Sequence, residues 1–374
     1  MGVRVVLTGG GTGGHIYPAL AIAAGLRQKH PDWELIYFGG RTGLEKNIVP
    51  RADIPFYAIS ASGLERHLSW KAFVSLSRLL PGTLQGWRWL ARLRPRVVVG
   101  TGGYVCAPVV LAATLARVPV LLHEQNALPG LTNRYFGRLA RAICTSFPGC
   151  EGYFPRPARV HYTGLPVRPE IGTIGREAAA RDLGVDPVRI LILVVGGSQG
   201  ARKINQAMLA LHRELQGSSR VHLWHITGEN GYQEVMEGIT KEGIDIHAAG
   251  NITVVPYWHA MPELLAVADL VIGRAGATFM AELTLAGLPA ILIPYPFAAE
   301  NHQEYNARAL ARAGGAVVIP DGDLTGVLLW ETVRSLLEDS QRRQRMAAAS
   351  RGMARPRALE EIIEIIEEIA GGQA

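Results

Sequence analysis

A short apolar strand that breaks into a glycine-rich turn and then a helix occurs twice in this chain, and no other feature narrows its fold as far. The first copy runs through the strand Val3–Leu7, the loop Thr8–Gly14 and a helix from about Ile16 to Lys29. The second runs through Ile190–Val195, the loop Gly196–Gly200 and a helix from about Lys203 to Leu215. Each is the opening unit of a Rossmann-like domain. Elsewhere, runs of Val, Ile and Leu alternate with helical stretches, the pattern of parallel sheets covered by helices on both faces. A length of 374 residues accommodates two such domains. Pro155, Pro157, Gly164, Pro166 and Pro169 punctuate the span between the two openings, so the expected α/β architecture is a first domain over 1–163 and a second over 164–344. Their parallel sheets are expected to face each other across a cleft, the natural place for two substrates.

Charge separates the halves. Residues 1–163 carry 19 Lys and Arg against 7 Asp and Glu, and the remainder carries 19 against 25, although the whole chain totals only +6. From Arg66 to His123 there is no acidic residue at all. Trp70, Lys71, Phe73, Arg78, Leu79, Trp87 and Arg88 interleave aromatic, aliphatic and basic side chains within that stretch, a composition suited to an anionic lipid surface. Charge alone would also admit nucleic acid, but no nucleic-acid-binding motif accompanies it. The longest apolar stretch, Val105–Leu122, is interrupted by Pro108, Arg117 and Pro119 and reads as a helix followed by a buried strand rather than a membrane span. The first residues do not read as a secretion signal, so the expected location is the cytoplasm. Cys106, Cys144 and Cys150 are an odd number at no ligand spacing and are expected as small core residues.

The loops carry the chemistry. Gly9, Gly11 and Gly14 match the dinucleotide fingerprint, but its companion acid at the end of the next strand is replaced by Gly39, Gly40 and Arg41. Arg41 keeps an NADP-dependent oxidoreductase among the alternatives. His15 sits at the mouth of the following helix, whose positive end disfavours an imidazolium and so suits a general base. In the second loop, Gly196, Gly197 and Gly200 allow close approach of an anion, Ser198 adds a hydroxyl and Gln199 an amide, and the helix that follows offers unpaired N–H groups. A diphosphate suits that site; the lysine and hydroxyl of a Walker loop are missing. A third loop, Arg274–Thr278, leads into a helix carrying Glu282, which is placed to accept from the two hydroxyls of a ribose. His302 and Gln303 offer uncharged polar groups suited to sugar hydroxyls. His123, Glu124, Gln125 and Asn126 close a strand at the carboxyl edge where such sheets bind ligands. The zinc motif H-E-x-x-H is not met there, because Ala127 holds the second histidine's place, and neither a metal nor a cofactor is expected.

Six stretches together resemble the MurG family of UDP-N-acetylglucosamine transferases: GGGTGGHIYPALAIA at Gly9–Ala23, GTGGYVCAP at Gly100–Pro108, HEQNALPGLTNR at His123–Arg134, TGLPVR at Thr163–Arg168, VVGGSQGARKIN at Val194–Asn205 and RAGATFMAEL at Arg274–Leu283. They occur in order over nearly the whole chain. The resemblance implies a GT-B architecture, an acceptor domain followed by a donor domain, and a C-terminal helical stretch of about 345–370 that packs back on the first. It implies inverting transfer of N-acetylglucosamine from its UDP derivative to the 4-hydroxyl of the muramoyl sugar in undecaprenyl-pyrophosphoryl-MurNAc-pentapeptide (lipid I), at the cytoplasmic face of the cell membrane. Contact with other cell-wall synthesis proteins would fit the same role. A non-hydrolysing UDP-N-acetylglucosamine 2-epimerase is the nearest alternative within the fold. Carried onto this sequence, the resemblance places Arg168, Ser198, Gln199, Gly200 and Thr278 by the donor nucleotide, Glu282 on its ribose, and His302 and Gln303 by its sugar. Thr12, Gly14, His15, Tyr104, Glu124 and Asn126 line the acceptor side, with Thr12, Gly13 and Asn126 also reaching the donor. His15 is the preferred base and Glu124 its rival. The uracil pocket falls in Val255–Met261, where Tyr257 and Trp258 are bulkier than such a pocket calls for.

Overall fold

The computed structural model describes residues 2–61, 70–197, 200–247 and 250–372, with side chains from residue 79 onward in the helix that begins at Trp70. The chain divides into two units, one formed by 1–167 with 355–374 and the other by 168–354.

The first unit is built on β1 (Arg4–Thr8), β2 (Glu34–Gly40), β3 (Phe56–Ile59), β4 (Val97–Gly100), β5 (Val120–Glu124), β6 (Ala142–Thr145) and β7 (Val160–Tyr162). Among the described residues they form one seven-stranded sheet in the order β3-β2-β1-β4-β5-β6-β7, parallel throughout. The second unit repeats the plan with β8 (Ile190–Val195), β9 (Val221–Ile226), β10 (Ile252–Val255), β11 (Leu270–Gly273), β12 (Ala290–Leu292) and β13 (Ala316–Val318), in the order β10-β9-β8-β11-β12-β13. The central strands are apolar on both faces because helices cover both; Val5, Val6 and Leu7 of β1 are wholly buried, as are Ile192, Leu193 and Val194 of β8. In each sheet the winding direction reverses next to the first strand, between β1 and β4 and again between β8 and β11. Loops diverge at such points and leave a crevice at the carboxyl edge. The four loops there follow Thr8, Gly100, Val195 and Gly273, and every one is glycine-bearing.

Most of the expected elements are present with shifted ends. The first helix spans Gly13–Lys29, beginning before Ile16, because extended Thr12 offers its carbonyl to the N–H groups of His15 and Ile16. β12 stops at Leu292, two residues ahead of Pro294, which has no N–H for a ladder. The apolar stretch Val105–Leu122 is the helix Cys106–Leu115 followed by β5. The stretch 345–370 is two helices rather than one: Ser340–Gly352 belongs to the second unit, and Ala358–Ala370, beyond the break at Pro356, belongs to the first. There Ile362, Ile363, Ile366 and Ala370 join one core cluster with Ile16, Ala19, Ile22, Ala23 and Leu26 of the first helix. Glu367 pairs with Lys29 at 2.8 Å and with His30 at the rim of that contact. Among the described residues no helix is long and apolar enough to cross a membrane.

Candidate active site

β1 and β4 end side by side, and the helix Gly13–Lys29 starts from the first of them, which sets His15 against the turn Thr101–Gly103. The half-buried ring places Nδ1 3.0 Å from the Thr101 carbonyl oxygen and 3.0 Å from Gln125 Oε1. A carbonyl oxygen only accepts, so Nδ1 carries a proton, and the neutral ring then has its lone pair on Nε2. Among the described residues Nε2 makes no hydrogen bond. The approach requires glycine at position 102, where φ is +101° and a Cβ would come within 2.9 Å of Nδ1. The Thr101 hydroxyl closes the contact by donating to the His15 carbonyl at 2.6 Å.

Glu124, the rival base, is buried and occupied. Its Oε1 accepts from the backbone N–H of Asn126 at 2.9 Å and from the Asn126 amide at 3.3 Å, while Oε2 accepts from Gly130 N–H at 3.0 Å and Asn133 Nδ2 at 2.8 Å. Such a carboxylate organises the loop 124–133 and has no lone pair directed at an incoming proton. Thr12 and Gly14 are exposed on the opening of the first helix, Gly13 is half-buried between them, and Tyr104 and Asn126 are half-buried at neighbouring strand ends.

Glu45 was not singled out by sequence, yet it lies wholly buried beneath the first glycine loop. Its Oε2 accepts from Gly11 N–H at 3.2 Å and its Oε1 from Gly40 N–H at 2.9 Å. Gly10 N–H is also used, donating to the Gly102 carbonyl at 3.3 Å. A pyrophosphate on this loop would have to displace a carboxylate of its own sign, which removes the dinucleotide reading despite the matching glycine spacing. Burial and then the Glu45 charge raise the Tyr104 phenol above its ordinary value, so it stays a neutral hydroxyl beside the loop. The only sequence signal for Glu45 is an acid a few residues beyond β2, which is indistinguishable from a surface residue without the fold.

In the second unit the loops after β8 and β11 border a cavity of about 730 Å³, lined among others by Gly200, Arg202, Lys203, Arg274, Phe297 and Gln303. Ser198 and Gln199 lie outside the described residues. Gly200, with φ +79°, sits so close to the Thr227 carbonyl oxygen that a Cβ would fall 2.4 Å from it. Arg202 and Lys203 occupy the first turn of the helix Arg202–Leu215, the end where the helix dipole disfavours cations. An anion in the cavity would offset that placement. Arg274 is held by the carbonyls of Ile293 and Pro294 at 3.0 and 3.2 Å and by Asp321 at 2.6 Å, with its guanidinium 5.5 Å from the centre of the Tyr295 ring. Sequence marked Arg274 only as part of a loop; the cations of this cavity were missed as a group.

Gln303 Oε1 accepts from Ala275 N–H at 3.1 Å and Tyr295 N–H at 3.0 Å, so the side-chain NH₂ is the face it offers to the cavity. Glu300 and Asn301, just before the helix His302–Arg312, both hold left-handed backbone at φ 52° and 55°, strain of the kind that collects at ligand sites. Thr278 lies in the first turn of the helix Ala277–Ala286, and Glu282 one turn on is buried. Arg168 grips Glu282 Oε1 through Nε at 3.1 Å and a terminal nitrogen at 2.8 Å. Burial raises the Glu282 carboxyl above the usual carboxylate range while that guanidinium pulls it down. Arg168, Thr278, Glu282 and His302 stand outside the cavity's lining, so the structure joins Gly200 and Gln303 but sets the Arg168–Glu282 pair apart. Trp258 turns toward Trp224, ring centres 5.0 Å apart, while Tyr257 is exposed, so the two bulky residues expected at the uracil pocket point different ways.

Within the acid-free stretch, Trp70–Leu93 forms a helix. The side chains of Trp70, Lys71, Phe73 and Arg78 lie outside the described residues. Leu80, Leu84 and Trp87, at helical spacing, are exposed by 71%, 48% and 39%, beside exposed Arg88 and Arg92, while Leu79 is half-buried. Trp89 turns inward onto Tyr57, ring centres 4.8 Å apart. The three cysteines are free and buried, and burial pushes each thiol up to about 12, which leaves them inert.

The sequence profile of the glycosyltransferase family 28 N-terminal domain matches residues 5–145, and that of the glycosyltransferase family 28 C-terminal domain matches residues 191–362. A protein of Moorella thermoacetica named UDP-N-acetylglucosamine–N-acetylmuramyl-(pentapeptide) pyrophosphoryl-undecaprenol N-acetylglucosamine transferase is 50% identical over 364 residues, 97% of this chain and 98% of its own. The crystal structure of Acinetobacter baumannii MurG matches with a TM-score of 0.79 at 29% identity, covering 98% of this chain and 99% of that one. A UDP-N-acetylglucosamine 2-epimerase matches with a TM-score of 0.64 at 14% identity over 100% of this chain and 98% of that one, a likeness of fold alone.

Proposed function

The chain belongs to the MurG family within glycosyltransferase family 28, and from that premise we infer that it transfers N-acetylglucosamine from UDP-N-acetylglucosamine to lipid I, at the 4-hydroxyl of the muramoyl sugar and with inversion. What carries the reading is identity with a transferase of that name that runs through both units rather than one. The two site geometries add a division of labour. The first unit is the acceptor domain, with Thr12, Gly14, Tyr104 and Asn126 around His15. His15 Nε2 takes the proton of the attacking hydroxyl; Glu124, with both oxygens committed to its own loop, shapes that loop and is not the base. The acceptor oxygen bonds to the anomeric carbon from the face opposite UDP, the bond from that carbon to the diphosphate oxygen breaks, and UDP departs with the electron pair. One in-line displacement therefore inverts the linkage.

The second unit is the donor domain. The N–H groups of Gly197 and of the opening of the helix that follows, with Arg202, Lys203 and Arg274, neutralise charge growing on the diphosphate, and the sequence motif assigns Ser198 and Gln199 to the same ligand. Glu282 accepts from the ribose hydroxyls through Oε2 while Oε1 stays with Arg168, whose charge also faces the nucleotide. Thr278 serves the diphosphate from the next helix, and the Gln303 amide donates to the sugar with His302 beside it. Thr12, Gly13 and Asn126 complete the donor contacts.

The stripe Leu80, Leu84 and Trp87 with Arg88 and Arg92 supports peripheral attachment to an anionic membrane at its cytoplasmic face, where a polyprenyl-linked acceptor resides. The test is to incubate the purified chain with UDP-N-acetylglucosamine, with and without a lipid I analogue. UDP and a disaccharide product are expected only when the acceptor is present. Conversion of the donor to UDP-N-acetylmannosamine without acceptor would favour the epimerase, and saturable NADPH binding lost on changing Arg41 would favour the oxidoreductase.

A further inference from the structure

Three backbone carbonyls dictate where the hydrogens lie along a row of side chains that ends at His15. The Gly164 carbonyl, close to where the chain leaves the first unit, accepts from His123 Nε2 at 2.9 Å, so that nitrogen is protonated. His123 is wholly buried, and burial lowers it to about 4, so the ring is neutral and its Nδ1 carries a lone pair. Gln125 Nε2 donates to that lone pair at 3.0 Å and to the His123 carbonyl at 3.0 Å. The second acceptor settles which end of the amide faces which way, because reversing it would set two oxygens against each other. Gln125 Oε1 must then face His15 Nδ1, where it can only accept. The Thr101 carbonyl, on a different strand end, demands the same proton independently.

We propose that His123 and Gln125 are positioning residues for proton transfer at His15, holding Nδ1 protonated so that Nε2 is the lone pair that meets the acceptor hydroxyl. This rests on His15 being the base. In the neutral ring the row fixes tautomer and orientation. Once Nε2 takes the proton, the Nδ1–H stays shared between two uncharged oxygens, which steadies the imidazolium without trapping it as a carboxylate partner would. The carboxylates on neighbouring elements, Glu45 and Glu124, are held by backbone and amide N–H groups rather than by the imidazole.

Long-range ¹H–¹⁵N spectra of the full chain labelled at histidine nitrogens test this directly, with His15→Ala assigning the signal. Protonated Nδ1 and unprotonated Nε2 are expected for His15 at neutral to mildly alkaline pH, and the opposite tautomer would overturn the proposal without any variant having to fold. Gln125→Glu keeps an acceptor at Nδ1 but adds a negative charge, so the acid limb of the kcat/KM profile should move up by about one pH unit or more. Gln125→Leu should lower kcat roughly tenfold or more with the KM for UDP-N-acetylglucosamine unchanged. A merely structural glutamine would leave kcat unchanged in Gln125→Leu, and that result also overturns the proposal. If His15→Ala retains full turnover, the base assignment fails instead, and the wild-type spectrum still decides whether the row sets the tautomer.

Discussion

Replacing His15 by alanine removes the Nε2 lone pair while leaving the Thr101–Gly103 turn in place, so turnover is expected to fall roughly a hundredfold or more with donor KM close to wild type. Steady-state kinetics with a lipid I analogue check this; a rise confined to acceptor KM would make His15 a binding residue. Glu124→Ala should act differently, leaving two backbone N–H groups and the Asn126 and Asn133 amides without their acceptor. The loss is expected to be about 1–3 kcal/mol in stability, measured by denaturant unfolding, beyond any loss of rate. Glu282→Ala should weaken donor binding on a similar scale, read as a raised KM for UDP-N-acetylglucosamine. His15, Glu124 and Glu282 could be singled out in the sequence because each follows a recognisable turn or strand end. What separates His15 from Glu124 could not, since that difference lies in hydrogen bonds from Asn126, Gly130 and Asn133 that depend on how a loop closes. Glu45 was illegible for the same reason: its burial is balanced by N–H donors from Gly40 and from Gly11 and by the Tyr104 phenol, partners that only the fold assembles.

At the scale of elements, β9 and the helix Arg202–Leu215 enclose a histidine pair, His225 and His212, with ring centres 5.2 Å apart and both residues wholly buried. Burial lowers His212 to about 4, and burial and then the His212 charge hold His225 well below 6.5. The unfolded chain therefore takes up these protons first, so stability is intact above pH 6.5 and is lost as pH falls toward 4. For His212 alone the loss over that window is on the order of 3 kcal/mol. Hydrogen exchange on the full chain should show β8 and β9 losing protection over that range, and His212→Leu should flatten the dependence; an unchanged profile would contradict it. The strand–turn–helix units were legible because their apolar runs and glycines are local signals. Element ends were less so: Thr12 starts the first helix early through two carbonyl contacts, and Pro294 cuts β12 short. The family resemblance implied that the C-terminal stretch packs back on the first domain, but its partner there, the face of Gly13–Lys29 carrying Ile16, Ile22 and Leu26, is a tertiary fact.

Over the whole molecule, basic charge gathers in the first half and acid in the second, a balance that suits the first half to an anionic surface. Binding to vesicles of anionic lipid should fall with rising salt, and Arg88→Gln with Arg92→Gln should weaken it by about 1 kcal/mol per residue. Flotation assays that find equal binding to neutral vesicles would contradict the electrostatic part of that attachment. The proposed division into a proton-accepting unit and a diphosphate-holding unit has a stereochemical consequence that needs no variant. With a single displacement, the sugar delivered from an α-linked donor must arrive β-linked. The most direct measurement is therefore the anomeric proton of the disaccharide formed from UDP-N-acetylglucosamine and a lipid I analogue, observed by NMR. A new β-linked N-acetylglucosamine signal accompanied by free UDP is predicted; an α linkage, or no disaccharide at all, would contradict the account.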